Sequence, residues 1–390
     1  MATTPSSPTL VVLQLTGGND PLNTLVPYGN PLYYDQRPTV HIPAEQVLPL
    51  DHYYGLHPSM ASIHPLWDQG KMAIINGIGY PQPDYSHFRS MDIWYTAQPE
   101  SMATDGWLGK LVRDLDPRAE NVLTAVSFGR GLPRALSLAG VPVASVAALD
   151  SYGLLTNLSS VAQRQAALEV FSCMYDDGWE DAGLPHETAC AATKPVEEVL
   201  RYMGQTGLDA QKGAAILRTA VDKYASSVVY PKTAIAQSLR GVAQVKLADL
   251  GTRIFYTAHS SFDTHAAQLP VHAQLWREVS EAIAAFFEDL RQHNAAEDVI
   301  MLLWSEFGRR VRDNGSGTDH GAAGLALVLG EAVNGGLYGE APSLREGDLT
   351  LGNLSYNNDF RSTYSTILER WFQVEARPIV HGNFEQFRFV

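Results

Sequence analysis

Short apolar runs alternate with helix-like patterns through the first and last thirds of the chain, and this alternation restricts the fold more than any other feature. Strands are predicted at residues 9–15, 72–76, 122–127, 253–257, 299–304 and 325–329. The clearest helix begins after Pro270, carries one apolar stripe opposite a charged face, and leads directly into the strand at 299–304. This layout predicts a three-layer α/β/α sandwich with a mostly parallel central sheet.

The middle of the chain has a different pattern. Between about residues 155 and 248 strand signals vanish, and helix-like periodicity recurs at 162–174, 196–204 and 235–250. We interpret this segment as a helical insertion or cap within a single domain spanning residues 1–390. Because long connections are more often functional than filler, we expect a lid that selects substrates, with an inert excursion as the alternative.

Charge and composition exclude several kinds of partner. The 390 residues include 42 acidic against 28 Lys and Arg side chains, a net charge of -14, which opposes nucleic acid binding. The apolar runs are much shorter than the roughly 20 residues of a membrane span, so we expect none. No leader pattern is evident, which predicts a cytoplasmic protein or a mature exported form. Cys173 and Cys190 are too few for a disulfide scaffold and are either paired or two buried thiols.

Common signatures of nucleotide and hydrolase sites are missing from the sequence. There is no Gly-x-x-x-x-Gly-Lys-Ser/Thr loop and no Gly-x-Ser-x-Gly elbow, and the Gly-x-Gly at residues 77–79 lacks the third glycine of a dinucleotide loop. The chemistry is therefore expected in the polar clusters that follow the predicted strands.

Four acid-bearing clusters occupy such positions, at the edge where open α/β sheets build their ligand sites. They are residues 16–20 (TGGND), 259–265 (HSSFDTH), 305–310 (SEFGRR) and 317–321 (GTDHG). Asp263 and His265 together would suit zinc, manganese or iron. Each cluster also has a simpler explanation: an Asx turn at 19–20, a helix cap by Asp263, a salt bridge between Glu306 and Arg309, and a surface loop at 317–321.

A serine opens the helical stretch predicted at residues 86–97. At a helix N-terminus, Ser86 would meet an environment that favours anions, so it is either a nucleophile toward a phosphate or sulfate or a plain cap. The neighbouring His87 is either a metal ligand or a general acid, and Arg89 is a candidate anion clamp.

Several motifs, in this order, resemble the bacterial family catalogued as domain of unknown function 1501. They are LTGGND at residues 15–20, LHP at 56–58, SHF at 86–88, GWLG at 106–109, FDTH at 262–265, EFGR at 306–309 and GTDHG at 317–321. The resemblance extends to the segment 359–361 and covers nearly the whole chain, with the helical middle matching least. That family is similar to the alkaline phosphatase-like superfamily, whose phosphatases, sulfatases and phosphomutases use one or two divalent metals.

The resemblance implies roles for individual residues. It implies that Asp20 is the first-strand metal ligand and that Ser86 is the nucleophile. Phe307 stands where such enzymes commonly have a histidine ligand after a strand. The resemblance further implies a metal-ligand set in which Asp319 compensates for that histidine: Asp20, Asp263, His265, Glu306, Asp319 and His320.

The expected activity is therefore metal-dependent hydrolysis of a phosphate or sulfate ester of a small molecule or carbohydrate. Ser86, with His87 as a second catalytic residue, or a metal-bound water would carry the attack. Asn19, Arg89 and Arg309 would bind the substrate. One or two divalent ions are expected, zinc or manganese first, with magnesium or calcium as alternatives. A hydrolase or lyase of a glycosidic or carboxylic substrate, and a non-catalytic binding protein with a degraded site, are the other interpretations.

Overall fold

The computed structural model describes residues 7–129, 131–147 and 216–390, together with residues 149, 163, 209, 212 and 213. Most of the predicted insertion lies outside the described residues, as do Cys173 and Cys190. Its role as a lid therefore stays a prediction.

Strands and helices alternate along the described chain. The strands are β1 Thr9–Leu15, β2 Leu25–Val26, β3 Leu48–Pro49, β4 Gly55–Leu56, β5 Met72–Gly79, β6 Ala125–Phe128, β7 Ala144–Val146, β8 Ile254–His259, β9 Val299–Trp304, β10 Gly324–Gly330, β11 Gly336–Tyr338 and β12 Asn358–Asp359. The helices are α1 Pro21–Thr24, α2 Pro31–Gln36, α3 His64–Asp68, α4 His87–Thr96, α5 Trp107–Leu115, α6 Ala234–Leu247, α7 Gln268–Gln292, α8 Phe360–Thr366 and α9 Arg377–Val380.

The central sheet has the strand order β11-β5-β10-β9-β1-β8-β6-β7, and β12 pairs with the end of β5. β10 runs antiparallel to β5 and β9, whereas the other described pairings in this sheet are parallel. A mostly parallel sheet is therefore confirmed. The strands β2, β4 and β3 form a separate small antiparallel sheet.

Helices cover both faces of the sheet because successive strand residues point to opposite sides. In β1, Val11 and Leu13 join the core that includes the buried faces of α6 and α7. Leu10 and Val12 join the opposite core, with buried residues of α4, α5 and α8. The three-layer α/β/α arrangement follows from these two cores.

The longest described helix, α7, has 25 residues and matches the apolar stripe of the sequence. It begins at Gln268, slightly earlier than predicted, because a proline in the first turn costs no helical hydrogen bond. Of the helices within the described ranges, none combines the length and apolar character needed to cross a membrane.

Helix α6 changes the end of the predicted insertion. Ile235, Leu239 and Val242 are buried in the same core as α7, and α6 also lies against β8. Residues 234–247 therefore belong to a layer that covers the sheet.

The fold brings several loops to one edge of the sheet. The loops after β1, β8 and β9 all leave the carboxyl ends of neighbouring parallel strands. Because β10 is antiparallel to β9, residues 305–323 return to the same edge instead of crossing to the opposite one. All four predicted polar clusters lie in these loops.

Candidate metal centre

Three histidines converge on one carboxylate. Asp263 Oδ1 lies 3.0 Å from His265 Nε2 and 3.0 Å from His320 Nε2, and Asp263 Oδ2 lies 3.6 Å from His87 Nε2. Ligand atoms of His87, Asp263 and His320 all lie within 4.8 Å of one another. His87 opens α4, Asp263 and His265 follow β8, and His320 precedes β10.

The second nitrogen of each imidazole faces a fixed acceptor. Nδ1 of His87 is 2.9 Å from Glu306 Oε1, and Nδ1 of His265 is 3.1 Å from Asp319 Oδ1. Nδ1 of His320 is 2.8 Å from the carbonyl oxygen of Tyr85. A carbonyl or ionised carboxylate offers no proton, so in the neutral ring Nδ1 carries the hydrogen and Nε2 keeps its lone pair.

This assignment leaves two lone pairs facing each other. Nε2 of His265 and Nε2 of His320 are 3.0 Å apart. Two unprotonated Nε2 atoms at this distance repel unless a positive charge lies between them. Asp263 Oδ1 lies 3.0 Å from both nitrogens, so either a proton shared with this oxygen or a metal ion supplies that charge. Three imidazole nitrogens and one carboxylate are the donor set of zinc, manganese or iron sites, so these residues fit a divalent ion.

Glycines allow the loops to pack at this distance. Gly17 has a φ of +121°, and a Cβ there would lie 2.4 Å from the backbone nitrogen of Asp263. A Cβ on Gly317 would lie 2.2 Å from the carbonyl oxygen of Thr264. Larger residues at either position would push the loop after β8 away from its neighbours.

Arg309 connects these loops through hydrogen bonds in the protein interior. Its fully buried guanidinium donates to the carbonyl oxygens of Gly17, Gly18, Phe262 and Thr318, and to Asp263 Oδ1 at 2.7 Å. Burial by itself would raise the pKa of Asp263, but the hydrogen bonds from Arg309 and His320 outweigh it and lower the pKa to about 2. This position differs from the prediction that Arg309 binds substrate, because the guanidinium N–H groups already donate to acceptors inside the protein.

Glu306 also differs from its predicted position as a ligand. Its fully buried carboxylate accepts hydrogen bonds from the Gly17 backbone nitrogen at 2.8 Å and from His87 Nδ1 at 2.9 Å. The hydrogen bond that His87 donates to Glu306 raises the pKa of His87. Glu306 thus orients His87, whose Nε2 faces Asp263 and is free to serve as a ligand.

Asp319 and Phe307 complete the surroundings of the histidines. Asp319 orients His265, and the hydrogen bond from His265 lowers the pKa of Asp319. The buried ring of Phe307 packs against His87 and His320, with centroids 4.9 and 4.5 Å apart. The residue that replaces the expected histidine therefore supports two other histidines by contact.

Asp20 does not lie with the histidines. Its carboxylate is fully buried and binds the Arg37 guanidinium, with contacts of 2.5 and 2.9 Å, and accepts a hydrogen bond from Gln268. Although burial would raise the pKa of Asp20, the charge of Arg37 lowers it. Asp20 was predicted to be a metal ligand, but the structure places it in a buried ion pair with Arg37. The charge of its carboxylate is therefore already balanced.

Two predicted substrate-binding residues also point elsewhere. Asn19 is buried, and its side-chain amide contacts Thr24 and His272. Arg89 donates to the carbonyl oxygens of Pro99 and Ser101, each at 2.9 Å. These hydrogen bonds direct both side chains away from His87, His265 and His320.

Ser86 lies directly before His87 and is exposed. Its side chain makes no capping hydrogen bond, whereas its backbone N–H donates to Asp84 Oδ1 at 2.7 Å. The capping explanation therefore does not account for the hydroxyl. The structure leaves Ser86 Oγ exposed at the start of a ten-residue helix beside the metal centre.

Sequence reasoning missed a buried polar group beneath the site. The rings of His57 and His272 are 5.4 Å apart, and burial lowers the pKa of His57 to about 4 and that of His272 to about 3. Arg37 was missed as well. The LHP motif contained His57, but nothing in the sequence linked it to a histidine more than two hundred residues away.

Structural comparisons give weak likenesses to several enzymes. A PsFucS1 sulfatase from Pseudoalteromonas sp. is 11% identical with a TM-score of 0.38, covering 98% of this chain and 71% of the other. The lipoteichoic acid synthase LtaP from Listeria monocytogenes is 8% identical with a TM-score of 0.36, covering 90% and 75%. Alkaline phosphatase PafA is 10% identical with a TM-score of 0.32, covering 79% and 64%. These values are too low to transfer residue roles.

Sequence comparison gives the firm result. No curated protein sequence matches the chain significantly. The family described as protein of unknown function DUF1501 matches residues 57–376, which is more than half of the chain and includes His87, Asp263, His265 and His320. The chain therefore belongs to the DUF1501 family.

Proposed function

We propose that the protein is a metal-dependent hydrolase of a phosphate or sulfate ester. One observation carries the proposal: Nε2 of His265 and Nε2 of His320 face each other at 3.0 Å while both Nδ1 atoms are held by acceptors. A cation between the rings would relieve this contact, and three imidazoles beside a carboxylate favour a divalent metal ion in that place. When bound, a divalent ion would polarise the ester and neutralise charge on its oxygens.

The residues of the chain divide the remaining work. His87, Asp263, His265 and His320 hold the ion, while Glu306 and Asp319 fix two of the imidazole rings. Outer hydrogen bonds of this kind set ring orientation and ligand basicity. Asp263 is further held by Arg309, so its carboxylate stays ionised at neutral pH.

Ser86 is the proposed nucleophile. Its exposed hydroxyl stands at the N-terminus of α4, where free backbone N–H groups and the helix dipole favour an anionic group. Attack of Ser86 Oγ on phosphorus or sulfur would form a serine ester and break the bond to the substrate's ester oxygen, which leaves as the alcohol with the proton that Ser86 loses. Water would then hydrolyse the serine ester, restoring the Ser86 hydroxyl and releasing phosphate or sulfate. Water acting directly is the alternative nucleophile.

Metal analysis and an ester panel test the proposal. Protein purified without chelators or metal-affinity columns is expected to contain a stoichiometric divalent ion and to cleave aryl phosphates, phosphodiesters or aryl sulfates. His265→Ala and His320→Ala should each lose both properties. His52→Ala, at an exposed histidine, is the matched control and should keep them. Absence of bound metal would reject the proposal, and a metal-loaded protein inert toward every ester would favour a binding function.

Ser86→Ala separates the two nucleophiles. The variant should keep its metal and change the free energy of unfolding by less than about 0.5 kcal/mol, because the side chain makes no capping bond. Turnover should be lost if Ser86 attacks the ester. Ser101→Ala, at another exposed serine, serves as control. Full activity of Ser86→Ala would assign the attack to water.

A further inference from the structure

We propose that the centre takes a single divalent ion of the imidazole-preferring kind, and that Arg37 is a built-in cation that satisfies Asp20 in place of a second ion. This inference rests on the proposed function, since it concerns the same metal centre. The sequence alone predicts one or two ions of several kinds, whereas the surroundings of Asp20 favour one.

Both carboxylate oxygens of Asp20 already accept hydrogen bonds, which leaves no coordination position for a metal. Oδ1 accepts from the Leu22 backbone nitrogen at 3.1 Å and from Arg37 Nη2 at 2.9 Å. Oδ2 accepts from Arg37 Nη1 and from Gln268 Nε2, both at 2.5 Å. Both partners of the ion pair have fully buried side chains. A metal could bind Asp20 only by breaking this pair in an interior where each lone charge is costly.

Arg37 is held in place by several hydrogen bonds besides those to Asp20. Beyond Asp20, its guanidinium donates to Asn23 Oδ1 at 2.8 Å and to the carbonyl oxygens of Val311 and Arg310, each at 2.9 Å. A guanidinium keeps its charge at all ordinary pH values. Arg37 is therefore a permanent cation that cannot swing away without leaving several buried acceptors unpaired.

Carboxylates outnumber the cations that contact the groups around the histidines. Asp263, Glu306 and Asp319 contact the imidazole rings, while Arg309 contacts Asp263. This excess of acidic side chains favours a bound cation at the histidines. The pair of Asp20 and Arg37 is neutral by itself, so a second divalent ion would have no charge to balance.

The two regions are linked through one side chain. Gln268 donates to Asp20 through Nε2 and accepts from Thr318 Oγ1 at 2.6 Å through Oε1. Thr318 directly precedes Asp319 and His320.

Within the described ranges, one group of metal-ligating side chains converges, and its donors are mostly imidazoles. Magnesium and calcium prefer oxygen ligands, whereas zinc and manganese accept nitrogen.

Metal stoichiometry tests the inference on the full chain. Metal-free protein is reloaded with zinc or manganese, dialysed, and measured by elemental analysis beside calorimetric titration. We expect one equivalent per chain and one binding step. Two equivalents would overturn the inference while leaving the proposed function intact, and no binding would reject the proposed function itself. Excess calcium or magnesium should not displace the ion, and displacement would contradict the assigned class.

Variants at the buried pair give a second readout. Asp20→Asn should still bind one equivalent, with affinity within about threefold of the original protein. If this variant does not fold, the double change Asp20→Asn with Arg37→Met removes both charges, which buried sites tolerate better than removing one. Asp263→Asn is the matched ligand variant and should bind much less. Loss of the ion from the double variant would overturn the inference.

Discussion

Two aspartate–arginine pairs lie in neighbouring loops of this protein and differ in the use they leave for the carboxylate. In the pair of Asp20 and Arg37, both side chains are fully buried and both carboxylate oxygens accept from the guanidinium. In the pair of Asp263 and Arg309, the guanidinium is buried, whereas the Asp263 side chain is 44% exposed and faces three imidazoles.

Residue type and strand position alone do not decide whether an aspartate is open to a metal ion. Both aspartates follow a strand at the same sheet edge, and both contact arginine. What differs is the number of internal donors around the carboxylate. Arg309 donates most of its hydrogen bonds to backbone carbonyls and leaves Asp263 open to solvent. Arg37 and Gln268, in contrast, donate to both oxygens of Asp20 and enclose it.

The same substitution at both sites would break the comparison most directly. Asp20→Asn leaves the buried Arg37 charge unpaired and should lower the free energy of unfolding by about 3–5 kcal/mol. Asp263→Asn should cost clearly less, because Arg309 keeps its carbonyl acceptors, while metal binding is lost. Urea unfolding of metal-free protein measures the two losses. Equal losses would contradict the distinction.

The pH dependence of stability tests the buried surroundings of Asp20, which include His57 and His272. The pKa values of His57 and His272 are lowered to about 4 and about 3 from 6.5, so the unfolded chain binds protons more readily than the folded one. Stability is therefore full above pH 6.5 and falls as pH drops toward 3, by at most about 1.4 kcal/mol per pH unit for each histidine. Asp20, Arg37 and Arg309 are the charged groups that act on this pair.

Substituting one buried histidine tests this explanation. His57→Asn keeps an acceptor for the Ser59 backbone nitrogen but cannot titrate, so the slope of unfolding free energy against pH should become shallower in metal-free protein. His52→Asn changes an exposed histidine and should leave the slope unchanged. An unchanged slope in His57→Asn would show that other groups cause the acid sensitivity.

The smallest expected effect concerns the orientation of a ligand at the exposed end. Glu306→Gln keeps the shape of the side chain but weakens the hydrogen bond to His87, so metal affinity should fall by about 10–100-fold. Competition with a chelator measures the affinity. Glu281→Gln, on the outer face of α7, should have no effect. If the ion were lost completely, Glu306 would be a ligand rather than an orienting residue.

Much of the fold could be predicted because its signals are local. The strands Thr9–Leu15 and Val299–Trp304 have the predicted bounds, since each is a continuous apolar run buried on both faces. The helix Gln268–Gln292 shows its buried stripe in the sequence. The antiparallel direction of Gly324–Gly330 was not predicted, because strand direction depends on the loop before it and not on the composition of the strand.

The site could be predicted only as a set of candidates. Asp263, His265 and His320 lie together, but the sequence did not reveal that Glu306 turns inward to His87 or that Arg37 encloses Asp20. Arg37 is 17 positions after Asp20 and far from Arg310 and Val311, whose carbonyls fix it. Pairings of this kind depend on three-dimensional packing, which single motifs do not encode.

The reversed strand β10 has a consequence for how this chemistry could change during evolution. Residues 305–323 connect the end of β9 to the start of its hydrogen-bonded neighbour β10. Both ends of this loop therefore lie side by side at one edge of the sheet. The loop carries Glu306, Arg309, Asp319 and His320. Insertions at its exposed residues 314–316 would leave the register of both strands unaltered, whereas the contacts of Arg309 with Gly17 and of Arg37 with Val311 constrain the rest of the loop. One connection between neighbouring strands therefore combines fixed residues around the candidate centre with exposed positions that can vary while the sheet stays constant.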